Sequence, residues 1–158
     1  MAMKNSDITI APAPADDRQV AALLTRHHTA MRAGSPEESC HVQTVAELMR
    51  DGADVYAARR GDAVVAVGAF KSLGAGHAEL KSMHTDAALR GQGVGQRMLD
   101  AILAAAQAKG HDRISLETGT ADFFAAARAL YLCNGFAPCP PFGTYRDDPL
   151  SVFMTRKL

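Results

Sequence analysis

Asp86-Ala87-Ala88-Leu89-Arg90-Gly91-Gln92-Gly93-Val94-Gly95-Gln96 joins a strand-like run that ends near Thr85 to the strongest helical pattern in the chain. Three glycines fall within five residues, and an amphipathic helix follows at once. Glycine tolerates positive φ and lets the backbone approach a ligand closely. The first amides of a helix have no internal partners, and the helix dipole favours negative charge beside them. Together these features predict an anion site of the size of a pyrophosphate. Arg90 and Arg97 can add charge-assisted hydrogen bonds. A Walker-type loop needs Gly-Lys-Ser/Thr, whereas this turn continues Gly95-Gln96-Arg97. A dinucleotide fingerprint needs G-x-G-x-x-G opening a β-α-β unit, and the spacing here is G-x-G-x-G after hairpin-like strands.

Outward from the turn, the helix is predicted over Gly93 to Lys109. Val94, Met98 and Ile102 form one apolar stripe, Leu99, Leu103 and Ala106 a second, and Gly110 is the stop. Upstream, His77 to Thr85 reads as a strand, preceded by two β-rich runs, Asp54 to Arg60 and Ala63 to Lys71, with Gly61-Asp62 as a tight turn. Earlier still, Asp7 to Ala11 reads as a short strand. Asp16 is the expected N-cap of a helix carrying Val20, Leu23, Leu24, His27 and Met31, and Val42 to Arg50 reads as a second helix. Downstream come a strand at Ile114 to Thr118, a helix over about Asp122 to Asn134 closed by Gly135, and a strand from Leu150 to Arg156. Pro138-Cys139-Pro140-Pro141 reads as loop. The order β-α-α-β-β-β-α-β-α-β places hairpins before a β-α-β crossover, which implies a mixed sheet with helices on both faces.

The 158 residues fit one domain, and 47% apolar composition supplies a core. Lys+Arg and Asp+Glu balance at 17 each, without the basic excess of a nucleic-acid binder. No apolar run approaches the roughly 18 residues of a membrane span. Met1 to Asp7 lacks a signal-like apolar core, so a cytoplasmic location is expected. Cys40, Cys133 and Cys139 form no C-x-x-C pair and read as free thiols. His27, His28, His41, His77, His84 and His111 show no H-E-x-x-H frame, so no metal is expected.

The chain resembles the GNAT superfamily of N-acetyltransferases. Arg90-Gly91-Gln92-Gly93-Val94-Gly95 fits that family's R/Q-x-x-G-x-G/A signature, and Leu130-Tyr131-Leu132-Cys133-Asn134-Gly135-Phe136 fits its later L-Y-x-x-x-G-F motif. The tail from Pro141 to Met154 looks like that of a small bacterial subgroup. The resemblance covers nearly the whole chain and implies a single acetyltransferase domain over 1–158. The implied fold is α/β (α+β), a mixed, mostly antiparallel sheet flanked by helices. Many relatives carry Asn in the loop after the Ile114 strand, where this chain has Gly119-Thr120-Ala121-Asp122-Phe123.

The resemblance implies acetyl-CoA as co-substrate and no metal. Arg90, Gly91, Gln92, Gly93, Val94, Gly95 and Gln96 would hold its diphosphate. Met83, His84 and Thr85, on a strand that splays from its neighbour, would pair with the pantetheine arm and polarise the thioester carbonyl. It implies direct attack by an amine, from a small molecule or an exposed peptide amino group, without an acyl-enzyme. Tyr131 is the candidate acid for the leaving thiolate, or a packing residue beside the cofactor. Glu79 is the candidate base, or the partner of Lys81, which shares its strand face with His77; Glu117 on the next strand is an alternative. Acceptor contacts are expected from His28, Met31, Ser35, Glu38, Ser39, Glu117, Tyr145 and Arg146, with His27 read instead as a dipole-stabilising histidine. Arg26, Arg32 and Arg146 could attract a carboxylated amine. The competing functions are transfer of another acyl group, transfer to oxygen, and a non-catalytic acyl-CoA sensor. Homodimerisation through the terminal strands is a further expectation.

Overall fold

The computed structural model describes residues 7–14, 16–34 and 44–158, with residues 31–34 as backbone only. Seven strands form one sheet: β1 (Ile8–Pro12), β2 (Asp54–Arg60), β3 (Ala63–Gly74), β4 (His77–Thr85), β5 (Arg113–Gly119), β6 (Ala137–Pro138) and β7 (Ser151–Lys157). The helices are α1 (Arg18–Gly34), α2 (Val45–Arg50), α3 (Val94–Ala108) and α4 (Ala125–Cys133). The sheet order is β1-β2-β3-β4-β5-β7-β6. Pairing is antiparallel throughout except between β4 and β5. The mixed, mostly antiparallel sheet flanked by helices is the architecture expected.

Alternation along β3 feeds two cores. Val64, Val67 and Ala69 join Val20, Leu23, Leu24 and Leu48 beneath α1 and α2. Val65, Ala66 and Phe70 join Met98, Leu99 and Ile102 beneath α3. Both predicted stripes of α3 are buried. Burying one such side chain contributes about 1.5–3 kcal/mol, so α3 is the main anchor of its face.

Several boundaries differ from expectation. Asp17, not Asp16, caps α1: its Oδ1 accepts from the amides of Gln19 at 3.0 Å and Val20 at 3.1 Å. Its other carboxylate oxygen pairs with Arg59. Within the described residues α2 begins at Val45 rather than Val42. Thr44 and Glu47 form a capping box there, each side chain accepting from the other's amide. The proline segment is not all loop, because Ala137 and Pro138 pair with Thr155 and Met154 as an edge strand. Proline is tolerated at such an edge. The approach to the glycine turn contains a short 3-10 turn, Ala87–Leu89, capped by Asp86.

β4 departs from a regular strand in two places. Val67 pairs with His84 but Ala69 pairs with Lys81, so β4 carries an extra residue at a bulge. Ser82, within it, has φ +56°. Gly68 lies opposite: a Cβ there would stand 2.5 Å from Ile102 Cδ1 and 2.9 Å from Met83 Sδ. The second irregularity is that parallel pairing to β5 stops early, at Glu79↔Ser115.

Candidate active site

Beyond Glu79 and Ser115 the two strands diverge, and a cavity of about 230 Å³ opens between them. The second half of β4, Leu80 to Thr85, forms one wall. Leu116, Glu117 and Thr118 of β5 form the other, and Phe124, Ala127 and Tyr131 close the floor. Tyr145 and Glu79 stand at one end, and Arg90, Phe123 and His27 also line the space. A splayed pair of strands leaves backbone donors and acceptors without ladder partners, suited to an extended amide-bearing chain.

The glycine turn takes a left-handed course into α3. Gly91 has φ +79° and Gly93 φ +82°, a left-handed conformation that side chains with a Cβ rarely adopt. Gly93 caps α3 without a side-chain hydrogen bond, and the first turn of α3 holds no acidic residue. Gly95 has no such requirement, since a Cβ would meet Leu130 and Thr85 only at 3.6 Å. The cavity lining reaches Thr85 and Arg90 but does not include Gly91 to Gln96. The Gln96 side chain is engaged elsewhere, exchanging hydrogen bonds with the Asn134 amide at 2.7 and 2.9 Å. Arg97 donates to the Ile8 carbonyl at 2.9 Å, which ties α3 to β1.

Arg90 instead stands over the Phe123 ring, 6.0 Å from its centroid. Phe123 packs edge-on against Phe124 at 4.9 Å. Arg128 holds this loop by donating to the carbonyls of Gly119 at 2.6 Å and Ala121 at 2.9 Å. An arginine from α4 therefore fixes the segment that follows β5. Phe124 falls inside the helix predicted over about Asp122 to Asn134, and sequence reasoning did not single it out for the site.

Tyr131 is buried on the cavity floor, its ring 5.6 Å from that of Phe136. Burial raises its pKa, so the phenol keeps its proton at neutral pH. Glu79 is 3% exposed. Its Oε2 accepts a 2.6 Å hydrogen bond from the Tyr145 hydroxyl and lies 3.8 Å from Lys81 Nζ. Burial and the Glu79 charge raise the Tyr145 pKa, so that hydroxyl remains a donor. Burial pulls the Lys81 pKa down against the pull of Glu79. Glu117 shares the space but not the clamp. Burial pushes its pKa up to about 7, opposed by the Ser151 hydroxyl and Lys81 and helped by the charges of Glu79 and Asp148.

At the α1 side, His27 and His84 rings lie 4.4 Å apart. Burial pulls His27 down to about 3 and His84 to about 4, with Arg90 adding repulsion in each case. Both are neutral at physiological pH, and His27 Nδ1 is buried without a hydrogen-bond partner among the described residues. His27, read in the sequence as a dipole partner, thus lines the cavity with His84, and His28 is outside the lining. Helical spacing alone does not say which of two adjacent histidines turns inward. Arg146 is exposed. Met31, Ser35, Glu38 and Ser39 lie outside the residues whose side chains are described. Among the described residues no cluster of metal-ligating side chains occurs. No helix of the described residues is long and apolar enough to cross a membrane.

The family model described as the acetyltransferase (GNAT) family matches residues 20–136. The uncharacterized N-acetyltransferase YsnE of Bacillus subtilis (strain 168) is 41% identical over 141 residues, 89% of this chain and 93% of its own. The uncharacterized N-acetyltransferase YedL of Escherichia coli (strain K12) is 40% identical over 139 residues, 88% of this chain and 87% of its own. A solved structure of a candidate acyl-CoA N-acyltransferase from Klebsiella pneumoniae superposes with a TM-score of 0.81 at 28% identity. The superposition covers 98% of this chain and 99% of that one.

Proposed function

This chain belongs to the acetyltransferase (GNAT) family of enzymes, and from that premise we propose that it moves an acetyl group from acetyl-CoA directly to a primary amine. The observation that carries the proposal is the early end of β4–β5 pairing, with Glu117 and Tyr131 both lining the opening. A donor fits what the chain presents. The β5-facing edge of Met83, His84 and Thr85, beyond the last β4–β5 pair, suits an amide-bearing arm, and the open N-terminus of α3, with Arg90, suits a diphosphate. When bound, acetyl-CoA supplies the acetyl group as an activated thioester.

The residues position groups and move protons. Backbone N–H groups at the bulge of β4 polarise the thioester carbonyl. Glu117 takes the proton of the incoming ammonium, directly or through one water. With a pKa of about 7 it is a stronger base than an ordinary carboxylate and is still half ionised at neutral pH. The sequence favoured Glu79 for that role. Its carboxylate is instead held by Tyr145 and Lys81, and we assign it to charging the site rather than to proton transfer. Tyr131 donates its proton to the departing thiolate and regains one from the second proton that the attacking nitrogen sheds as the amide forms. Pyrophosphate contacts come from Arg90 and the amides following Gly91 and Gly93.

Thiol release from acetyl-CoA in the presence of an amine panel tests the proposal. Release that depends on the amine, with an acetylated amine as product, is expected. Acceptor-independent hydrolysis, or a covalently acetylated enzyme that accumulates before product, would contradict direct transfer.

A further inference from the structure

Gln96 and Asn134 join the helix whose N-terminus suits a diphosphate to the helix that carries Tyr131. Gln96 lies in the first turn of α3, and Asn134 is the C-cap of α4. Their side-chain amides exchange two hydrogen bonds, at 2.7 and 2.9 Å. The second hydrogen of each amide is also placed. Gln96 Nε2 donates to Asp100 Oδ1 at 2.9 Å, and Asn134 Nδ2 donates to the Leu130 carbonyl at 2.7 Å. An amide offers two N–H donors, so both groups are fully committed and neither can flip without losing bonds. Asn134 is held from two further directions. Its backbone N–H donates to the Tyr131 carbonyl at 3.0 Å, and its carbonyl accepts from Arg156 of β7 at 2.8 Å.

Apolar packing alone does not fix how α3 and α4 are registered. Val94 and Met98 share a core with Tyr131, but such contact is non-directional. Hydrogen bonds have a preferred length and angle, and two in parallel set both. A donor held by its diphosphate at α3 must present its sulfur to a phenol on α4. An error in the spacing of the two helices becomes an error at the sulfur, where proton transfer needs hydrogen-bond reach. Resting on the acetyltransferase reading with Tyr131 as acid, the geometry assigns Gln96 and Asn134 as positioning residues: their amide pair fixes the Tyr131 hydroxyl relative to the N-terminus of α3. Neither residue lines the cavity, so the pair acts through Tyr131.

Single-turnover acetyl transfer reads the chemical step, with the fastest of phenethylamine, tyramine, spermidine and an alanine-terminated peptide as acceptor. Asn134→Ala should slow that step about tenfold, because small misplacements weigh heavily on such geometry. In Tyr131→Phe, where no acid is left to misplace, the same change should cost less than about twofold. Gln96→Ala leaves Asn134 bonded to Leu130 and Arg156 and should give the same pattern; it carries the test if Asn134→Ala does not fold. Equal losses with and without the phenol, or no loss, overturn the bridge. Tyr131→Phe as fast as wild type overturns the acid reading on which it rests. If none of the four amines is acetylated, an acceptor-free measurement decides. In CoA-bound protein with isotope-labelled tyrosine, Gln96→Ala should displace the ring signals of Tyr131 and leave those of Tyr56, which stacks on Phe70, in place. Unmoved Tyr131 signals overturn the bridge, and so do signals displaced for both rings alike. Folded protein that binds no CoA overturns the acetyltransferase reading itself.

Discussion

The Tyr145 hydroxyl donates a 2.6 Å hydrogen bond to Glu79 Oε2, joining residues 66 positions apart. Through this bond the loop before β7 is fastened to the strand that carries the site. The Tyr145 ring also packs 5.2 Å from Phe142 and 5.5 Å from Phe153. Tyr145→Phe keeps those rings and removes the donor. A hydrogen bond to a charged group contributes about 1.5–3 kcal/mol, so urea unfolding at pH 7 should show a loss near the lower figure with an unchanged m value. In a double-mutant cycle with Glu79→Gln the two losses should fall short of additive by about 1 kcal/mol. Additive losses would mean that the bond contributes nothing.

On the proposed mechanism, the pH dependence of turnover follows Glu117. Its folded pKa, about 7, lies above the ordinary 4.5. Proton abstraction needs the ionised form, so kcat/KM should rise with pH through a midpoint near 7. Glu79→Gln removes a charge that disfavours ionisation and should move that midpoint lower. An unmoved midpoint would separate Glu79 from the base.

Stability should run the other way. A carboxyl with a raised folded pKa supports the fold fully below its unfolded pKa and loses that support as pH rises through the folded value. Wild type should therefore weaken relative to Glu117→Gln between about pH 4.5 and pH 7, by up to about 3 kcal/mol. Urea midpoints at pH 4 and pH 8 measure the change.

Tyr131→Phe removes one oxygen from the cavity floor and leaves the ring on Phe136. Turnover should fall about 10²-fold or more, the usual range for a lost general acid. Acetyl-CoA affinity by calorimetry should change less than twofold. Turnover equal to wild type would make Tyr131 a packing residue only.

The sequence showed the sheet and helix order because the signals are local: β-rich runs at β2 and β3, two stripes on α3, and glycine stops. The glycine turn was legible for the same reason, since Gly91 and Gly93 sit where positive φ is needed. Pairings between distant residues were not. Nothing near Glu79 announces Tyr145, and nothing near Arg128 announces the carbonyls of Gly119 and Ala121. The weight given to Glu79 as base came from its place on β4. Only the three-dimensional clamp of Tyr145 and Lys81 shifts that role to Glu117. Likewise, Asp17 won over Asp16 because Arg59, on β2, also holds its carboxylate.

Gly68 gives a prediction about the bulge. A methyl there would meet Ile102 and Met83 at distances no real Cβ shows. Gly68→Ala must displace α3 or the Met83 side chain, and overpacking of this kind costs about 1–3 kcal/mol. Thermal unfolding should show a lower Tm, and acetyl-CoA affinity should fall with it. An undisturbed Tm would show that Met83 and Ile102 move aside freely.

Calorimetric titration of acetyl-CoA into wild type and Gly93→Val, both confirmed folded by circular dichroism, tests the donor site most directly. A valine cannot readily hold φ +82° at the cap of α3. Saturable one-to-one binding to wild type, weakened about tenfold or more in the variant, is the predicted result. No heat from folded wild type, or the same affinity in both proteins, would contradict the account.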